Sequence, residues 1–294
     1  MAVYAQKSSI QDVAVSIKGL SFKYFGSDSY ALHNINMEIK KGEFIGIVGP
    51  AGAGKTTLCY AITGLIPNDI LGDFEGSVTI NGFDTLSHPV YELSKNYGFV
   101  FDNPEYQFSQ ATVEEEVAVG LENRGVDPDL MPEIIRSSLK KVKLEGTEKR
   151  SPFELSGGQQ QRLAIASMLA LKPSILILDE PTSYLDPQGK EEVYSTLKEL
   201  NEEGMTIILV DQEVELMAPM VSKIAIMYKG SIVDYGTPAQ VFSNIKSTIE
   251  LGLRIPQATE LVVKLGKNAE NGNIPLDVDG AVKFVDSYIK RGGN

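Results

Sequence analysis

Residues 44–57 read Phe44-Ile45-Gly46-Ile47-Val48-Gly49-Pro50-Ala51-Gly52-Ala53-Gly54-Lys55-Thr56-Thr57, a short apolar run that breaks into a glycine-rich turn ending in a lysine and two hydroxyl residues. Five apolar or small residues bounded by turn signals are what a strand buried on both faces requires. Gly49, four intervening residues, Gly54, Lys55 and Thr56 fit the GxxxxGK[ST] spacing of a phosphate-binding loop. Glycines at 49, 52 and 54 let the backbone wrap closely around phosphate oxygens. A helix opening near Lys55 would aim its amides at the same point as the loop. Lys55 would neutralise the β and γ phosphates of a nucleotide, and the Thr56 hydroxyl would ligate Mg2+. The loop, Gly49 through Thr57, is therefore the candidate ATP cradle.

A second apolar run, Ile175-Leu176-Ile177-Leu178, ends in Asp179-Glu180. Open parallel sheets bind ligands at the carboxyl ends of their strands, so this pair is presented where chemistry occurs. Asp179 suits magnesium held through water, and Glu180 would polarise an attacking water in line with the γ-phosphate.

Further strands are expected at 13–17, 20–24, 35–39, 206–210, 224–228 and 231–234, with a strand at 76–80 entering the tight Asn81-Gly82 turn. From about 105 to 150 the pattern becomes helical, and a charged helix spans 188–203 between two of the strands. Alternating strands and helices predict an α/β fold with a parallel sheet. A Gly/Asn-rich break follows at 266–273, and then an amphipathic stretch, 278–290.

The formal charge of −12, from 39 acidic against 27 basic residues, argues against a nucleic-acid surface, which needs clustered cations. Cys59 stands alone and reads as a buried thiol in a reducing compartment. No apolar run approaches the ~20 residues that cross a bilayer, and residues 1–11 lack the apolar core of a signal peptide. The expectation is a cytoplasmic protein.

Leu155-Ser156-Gly157-Gly158-Gln159 satisfies a Ser-x-x-Gln capping box, so on its own it starts a helix, running to about Leu171. Two glycines in a first turn also expose amides at a positive helix end, which could meet a γ-phosphate. The same run resembles the signature sequence of ABC-type ATPases, and Ser183-Tyr184-Leu185-Asp186 resembles their D-loop. The resemblance covers residues 13 to about 240. It implies a P-loop NTPase core with an N-terminal antiparallel β-subdomain and an inserted α-helical subdomain at about 102–170, followed by a small C-terminal helical extension, 241–294. It also implies two subunits packed head to tail, each ATP lying between one phosphate loop and the partner's Ser156, Gly157, Gly158 and Gln159, with Asp186 close by. Tyr24 occupies the position from which the family stacks a ring on adenine, although Phe22, Tyr24 and Phe25 would equally serve strand packing.

Asn103-Pro104-Glu105-Tyr106-Gln107, Thr112 to Val117, Arg150 to Glu154 and the tail Ile274-Pro275-Leu276 are similar to ATPase subunits of energy-coupling factor importers of cobalt, nickel and vitamins. That resemblance implies a homologous ATPase partner, as homo- or heterodimer, and a transmembrane subunit on the inner face of the membrane. Glu105 and Glu114 to Glu116 offer carboxylates to such a subunit, or form a solvated helix face. Val278, Val282, Val285 and Ile289 could join subunits or fold onto their own domain.

The sequence departs from the family twice. Asp102 stands where the Q-loop glutamine is expected, and an ionised carboxylate cannot donate a hydrogen bond. The switch histidine is absent, since the chain holds only His33 and His88. Its place falls on Gln212, or on Asp211 if the register slips by one, and neither carries positive charge. The expectation is an ATP-driven dimer energising a membrane importer, with slow hydrolysis at this chain's own phosphate loop. A conventional importer ATPase and a catalytically degenerate regulatory subunit stay open. A soluble ABC protein of DNA repair or translation usually carries a coiled-coil insertion or tandem cassettes, and neither is seen.

Overall fold

The computed structural model describes residues 12–243, 245–265 and 274–290; the sequence readings at residues 1–11 and 266–273 lie outside them. Val13–Tyr24 (β1) and Leu32–Lys40 (β2) pair as an antiparallel hairpin, and Phe44–Val48 (β3) then leaves for a second sheet, followed by Lys55–Thr63 (α1). Gly72–Ile80 (β4) returns to the far side of β1 and turns back as Phe83–Asp84 (β5), giving the order β2-β1-β4-β5. The turn between them holds Asn81 at φ 49° and Gly82 at φ 84°, the two positive values that a tight two-residue hairpin needs.

The runs 13–17 and 20–24, expected as two strands, are one strand with a shift of register between Ile17 and Leu20. Gly19 sits at the shift with φ 60°, and Gly76 of β4, at φ 90°, lies against its backbone. A Cβ on Gly76 would stand 2.5 Å from the carbonyl oxygens of Lys18 and Gly19. The bulge and the glycine opposite it are thus one device, bending the sheet without breaking it.

In the second sheet β3 is joined by Tyr97–Val100 (β6), Ile175–Asp179 (β7), Thr206–Val210 (β8), Lys223–Tyr228 (β9) and Ser231–Gly236 (β10), in the order β10-β9-β3-β8-β7-β6. Every pair is parallel except β9 with β10, which form a hairpin through Lys229 and Gly230, both at positive φ. The sequence reading placed β10 among the strands without seeing that it runs backwards, and it omitted β6.

Why the central strands are apolar throughout is visible in their alternation. Phe44 and Val48 of β3, Leu176 and Leu178 of β7, and Ile207 and Leu209 of β8 face one core. Ile45, Ile47, Ile175, Ile177, Ile208 and Val210 face the other, which lies under the antiparallel sheet and α1. Each such side chain contributes roughly 1.5–3 kcal/mol by leaving water. The first core is closed by Val113–Asn123 (α2), Met131–Lys141 (α3), Gly157–Ala170 (α4) and Pro187–Glu202 (α5).

The acidic residues offered above as a docking face have partners within the chain, although Glu105 and Glu115 stay exposed. Glu116 is buried and accepts the amides of Ser109 and Gln110, Glu115 closes the capping box with Thr112, and Glu114 pairs with Lys149. Glu105 meets the side chain of Gln160. At the C-terminal end Gln257–Lys264 (α6) packs on Val278–Lys290 (α7), with the Thr259 hydroxyl donating to the Pro275 carbonyl. Val278, Val282 and Ile289 are 75%, 54% and 67% exposed while Val285 is half-buried, so the apolar stripe of α7 is covered only in part by the described residues. Among the described residues no helix is long and apolar enough to cross a membrane.

Gly76→Ala adds a methyl against backbone at a left-handed position, so it should lower the free energy of urea unfolding by roughly 2–4 kcal/mol. A variant as stable as the parent would show that the bulge tolerates a side chain.

Candidate nucleotide-binding site

Four neighbouring strands, β3, β8, β7 and β6, run parallel, so their carboxyl ends open on one edge of the sheet. The residues that follow them are Gly49, Asp211, Glu180 and Phe101. Topology alone therefore gathers the phosphate loop, the Asp179-Glu180 pair, Asp211-Gln212 and Phe101-Asp102.

Tyr24, Ala51 through Thr57, Asp102, Asp179 and Glu180 line one cleft of about 550 Å³, together with Ala31, Tyr60 and Phe101. Gly54, at φ 99°, is the N-cap of α1 and brings no capping side chain. The first amides of the helix have no partner within it and face the cleft. Gly54 also has no room for a side chain, since a Cβ would stand 2.5 Å from the Ala31 carbonyl. Gly49 and Pro50 do not line the cleft. Their carbonyls accept the Lys55 ammonium at 2.9 and 3.3 Å, and Gly49 is fixed by the Met227 carbonyl, 2.4 Å from where its Cβ would be.

Lys55 is buried and completes its shell with Glu180, Nζ to Oε1 3.2 Å. Gln212 reaches the same carboxylate from the end of β8, its Nε2 3.3 and 3.4 Å from the two oxygens. The register is thereby decided. Gln212 does not line the cleft itself but a neighbouring pocket with Gly49 and Pro50, and touches the site through Glu180, whereas Asp211 is 2% exposed and accepts the Thr182 hydroxyl at 2.7 Å.

Tyr24 packs edge-on against Phe22, ring centroids 5.0 Å apart, and its hydroxyl lies 2.9 Å from that of Thr57. Its ring is thus held at the cleft wall while remaining half-buried. Tyr60, one turn beyond Thr56 on α1, was missed by the sequence reading; helical spacing from Thr56 is the signal that marks it. Burial and the nearby Asp179 push its hydroxyl pKa up.

Ser156, Gly157, Gly158 and Gln159 lie elsewhere. They line a separate cleft of about 470 Å³ with Tyr184, Leu185, Asp186 and Gly189. Ser156 accepts the Gln159 amide and Gln159 accepts the Ser156 amide, so the capping box is complete. Asp186 caps α5 through the Gly189 amide at 2.7 Å. One chain therefore carries a phosphate loop and a signature-like helix end that do not face the same space.

Asp179 is buried, and its Oδ1 has no hydrogen-bond partner. Burial raises its pKa, the Thr56 hydroxyl works against that, and the charges of Glu180 and Asp102 raise it further. An orphaned carboxylate oxygen beside Thr56 fits a hydrated cation.

A family model described as ABC transporter matches residues 32–183. Energy-coupling factor transporter ATP-binding protein EcfA2 of Acetivibrio thermocellus is 41% identical over 288 residues, spanning 95% of this chain and all of that protein. Among solved structures, cbiO1 of Clostridium perfringens, described as part of the ABC transporter complex cbiONQ, is 29% identical with a TM-score of 0.74, covering 86% of this chain and 99% of its own. The ATP-binding cassette MJ0796, solved as a dimer bound to ADP and Pi, is 32% identical with a TM-score of 0.67, covering 76% of this chain and 98% of its own.

An acid whose folded pKa is raised contributes stability that is complete below its ordinary value, near 3.8 for Asp179, and is lost as pH climbs through the folded value. Asp179→Asn removes that loss, so the nucleotide-free variant should melt on the order of 2–4 °C above the parent at pH 7.5, the gap closing toward pH 4. Superimposable melting curves at both pH values would refute the assignment.

Proposed function

The chain belongs to the ABC transporter ATP-binding family and is an ATPase, and from that premise we propose that it energises an energy-coupling factor importer for a metal ion or vitamin. The observation that carries this reading is the separation of Lys55, Asp179 and Glu180 from Ser156–Gln159 into two clefts of one subunit. Both clefts are open at the surface of the subunit; in a head-to-tail pair of cassettes, each spanning about residues 13–240, they would close together on a nucleoside triphosphate. The EcfA2 relative and the cbiO1 neighbour support the importer class, and the dimeric MJ0796 supports the pairing.

The substrate is ATP with magnesium. Thr56 and Asp179 are the residues suited to hold magnesium, which when bound would neutralise phosphate charge. The amides of residues 52–56 bind the phosphates, and Lys55 neutralises them. Lys55 is at present shared between its own loop and Glu180. A γ-phosphate competes for that ammonium and frees Glu180 to take a proton from water. Ser156–Gln159 of the partner contact the γ-phosphate from the other side, so closure depends on ATP and hydrolysis opens the pair. A transmembrane subunit on the inner face of the membrane converts that motion into import.

Asp102 and Gln212 favour a second reading within the first. Gln212 can hydrogen-bond the γ-phosphate but brings no charge, and Asp102 adds a third carboxylate to the cleft. This subunit hydrolyses slowly at its own loop while its signature helix completes a competent site on a homologous partner.

Two measurements test these statements. Glu180→Gln with Mg-ATP should elute as a dimer, alone or with a homologous partner, and a strictly monomeric variant would sink the proposal. Asp102→Gln combined with Gln212→His should raise turnover about 100-fold, the lower end of the scale of one well-placed contact to developing charge; an unchanged rate counts against the weakened site. Affinity purification in mild detergent identifies the membrane subunit and with it the solute.

A further inference from the structure

Glu180 has φ 48°, a left-handed position that a residue with a Cβ holds only where its surroundings impose it. Its amide donates to the Val210 carbonyl at 2.7 Å, and its own carbonyl accepts the Ser183 amide at 3.2 Å. The Ser183 hydroxyl also donates to Glu180 Oε2 at 3.2 Å. These contacts define a turn, but Ser183 is exposed and anchors nothing beneath it.

The anchor is one residue earlier. Thr182 is fully buried and its hydroxyl donates to Asp211 Oδ2 at 2.7 Å. The other oxygen of Asp211 accepts the amides of Gln212 at 2.7 Å and Glu213 at 3.3 Å. Gln212 returns to Glu180 through its side-chain amide. The path Glu180, Thr182, Asp211, Gln212 and back to Glu180 is closed. The Tyr194 hydroxyl on α5 is fully buried beside Asp211 and adds a weaker contact with the same carboxylate, while Thr182 and the two amides make the short hydrogen bonds of the attachment.

We propose that Asp211 is a positioning residue that locks the turn bearing Glu180 to the turn bearing Gln212, so that the water-polarising carboxylate and the γ-phosphate contact keep one mutual geometry. A carboxylate suits the task because it accepts on two sides at once and takes charge-assisted hydrogen bonds, which are the strong ones. The locked turn runs directly into Tyr184, Leu185 and Asp186 of the second cleft. Displacement at Gln212 is therefore passed to the segment that faces a partner's nucleotide. The inference rests on the functional reading above, in that Glu180 and Gln212 act on the terminal phosphate.

The test is steady-state Mg-ATP hydrolysis at this chain's own phosphate loop, by the full chain alone or, if the pair is a heterodimer, with a homologous partner whose own hydrolytic carboxylate is replaced by its amide. Thr182→Val replaces the hydroxyl by a methyl of the same size, and Asp211→Ala removes both acceptors. Each should lower kcat about 10- to 100-fold, the scale of a small misplacement of reacting groups, with the KM for ATP held within about twofold, since the phosphate loop is untouched. The double variant should be no slower than Asp211→Ala alone, because one link is broken twice. Asp211→Asn, which can still accept both amides and bond Thr182, should recover most of the rate. If Asp211→Ala does not fold, Thr182→Val decides the question alone. A Thr182→Val enzyme with unaltered kcat, or one that loses activity only through KM, overturns the clamp while leaving the ATPase reading intact. A parent protein that hydrolyses no Mg-ATP with any partner overturns that reading and the clamp with it.

Discussion

A strand buried on both faces cannot slip by one residue without exchanging the contents of two cores, and three such strands lie side by side at the centre of this molecule. Their register sets Ile47 beside Val210 and Val210 beside Asp179. The phosphate loop, the acidic pair and the sensor turn therefore begin at the same height. Nothing in those loops has to find its neighbours; the interior has already done so. The two-sided burial of β3, β7 and β8 is the condition on which the site's geometry rests.

The electrostatics of the cleft follow from the same crowding. Asp102, Asp179 and Glu180 converge on a space in which Lys55 is the cation among the lining residues. Lys55 is held by two backbone carbonyls and one carboxylate, so it is buried without being stranded. A buried aspartate with an idle oxygen and a raised pKa is a cost that the fold carries in the absence of substrate. Gln212 brings no second charge, and its side-chain amide donates to Glu180.

Much of this was legible because the relevant signals are local. Gly49 to Thr57, Asp179-Glu180 and Ser156 to Gln159 each encode their backbone geometry within a few residues, and the apolar runs between them mark the strands. What was not legible depends on long-range contact. The bulge at Gly19 is understood only with Gly76 opposite it. The reversal of β10 is hidden in an apolar run that reads alike in either direction. Glu114 to Glu116 look like a free acidic face until Lys149 and the amides of residues 109 and 110 are set against them. Asp211 was seen only as a shifted version of Gln212, because its partner, Thr182, lies 29 residues away in the chain.

The distribution of the two clefts over one polypeptide has a genetic consequence. Under head-to-tail pairing, damage to the phosphate loop spoils the nucleotide its own chain holds, whereas damage at Ser156 spoils the nucleotide its neighbour holds. Two alleles, one broken at each place, would fail separately as homodimers. Expressed together they would assemble mixed pairs in which one of the two chambers is built wholly from undamaged halves, and the heterozygous cell would regain part of the ATP turnover.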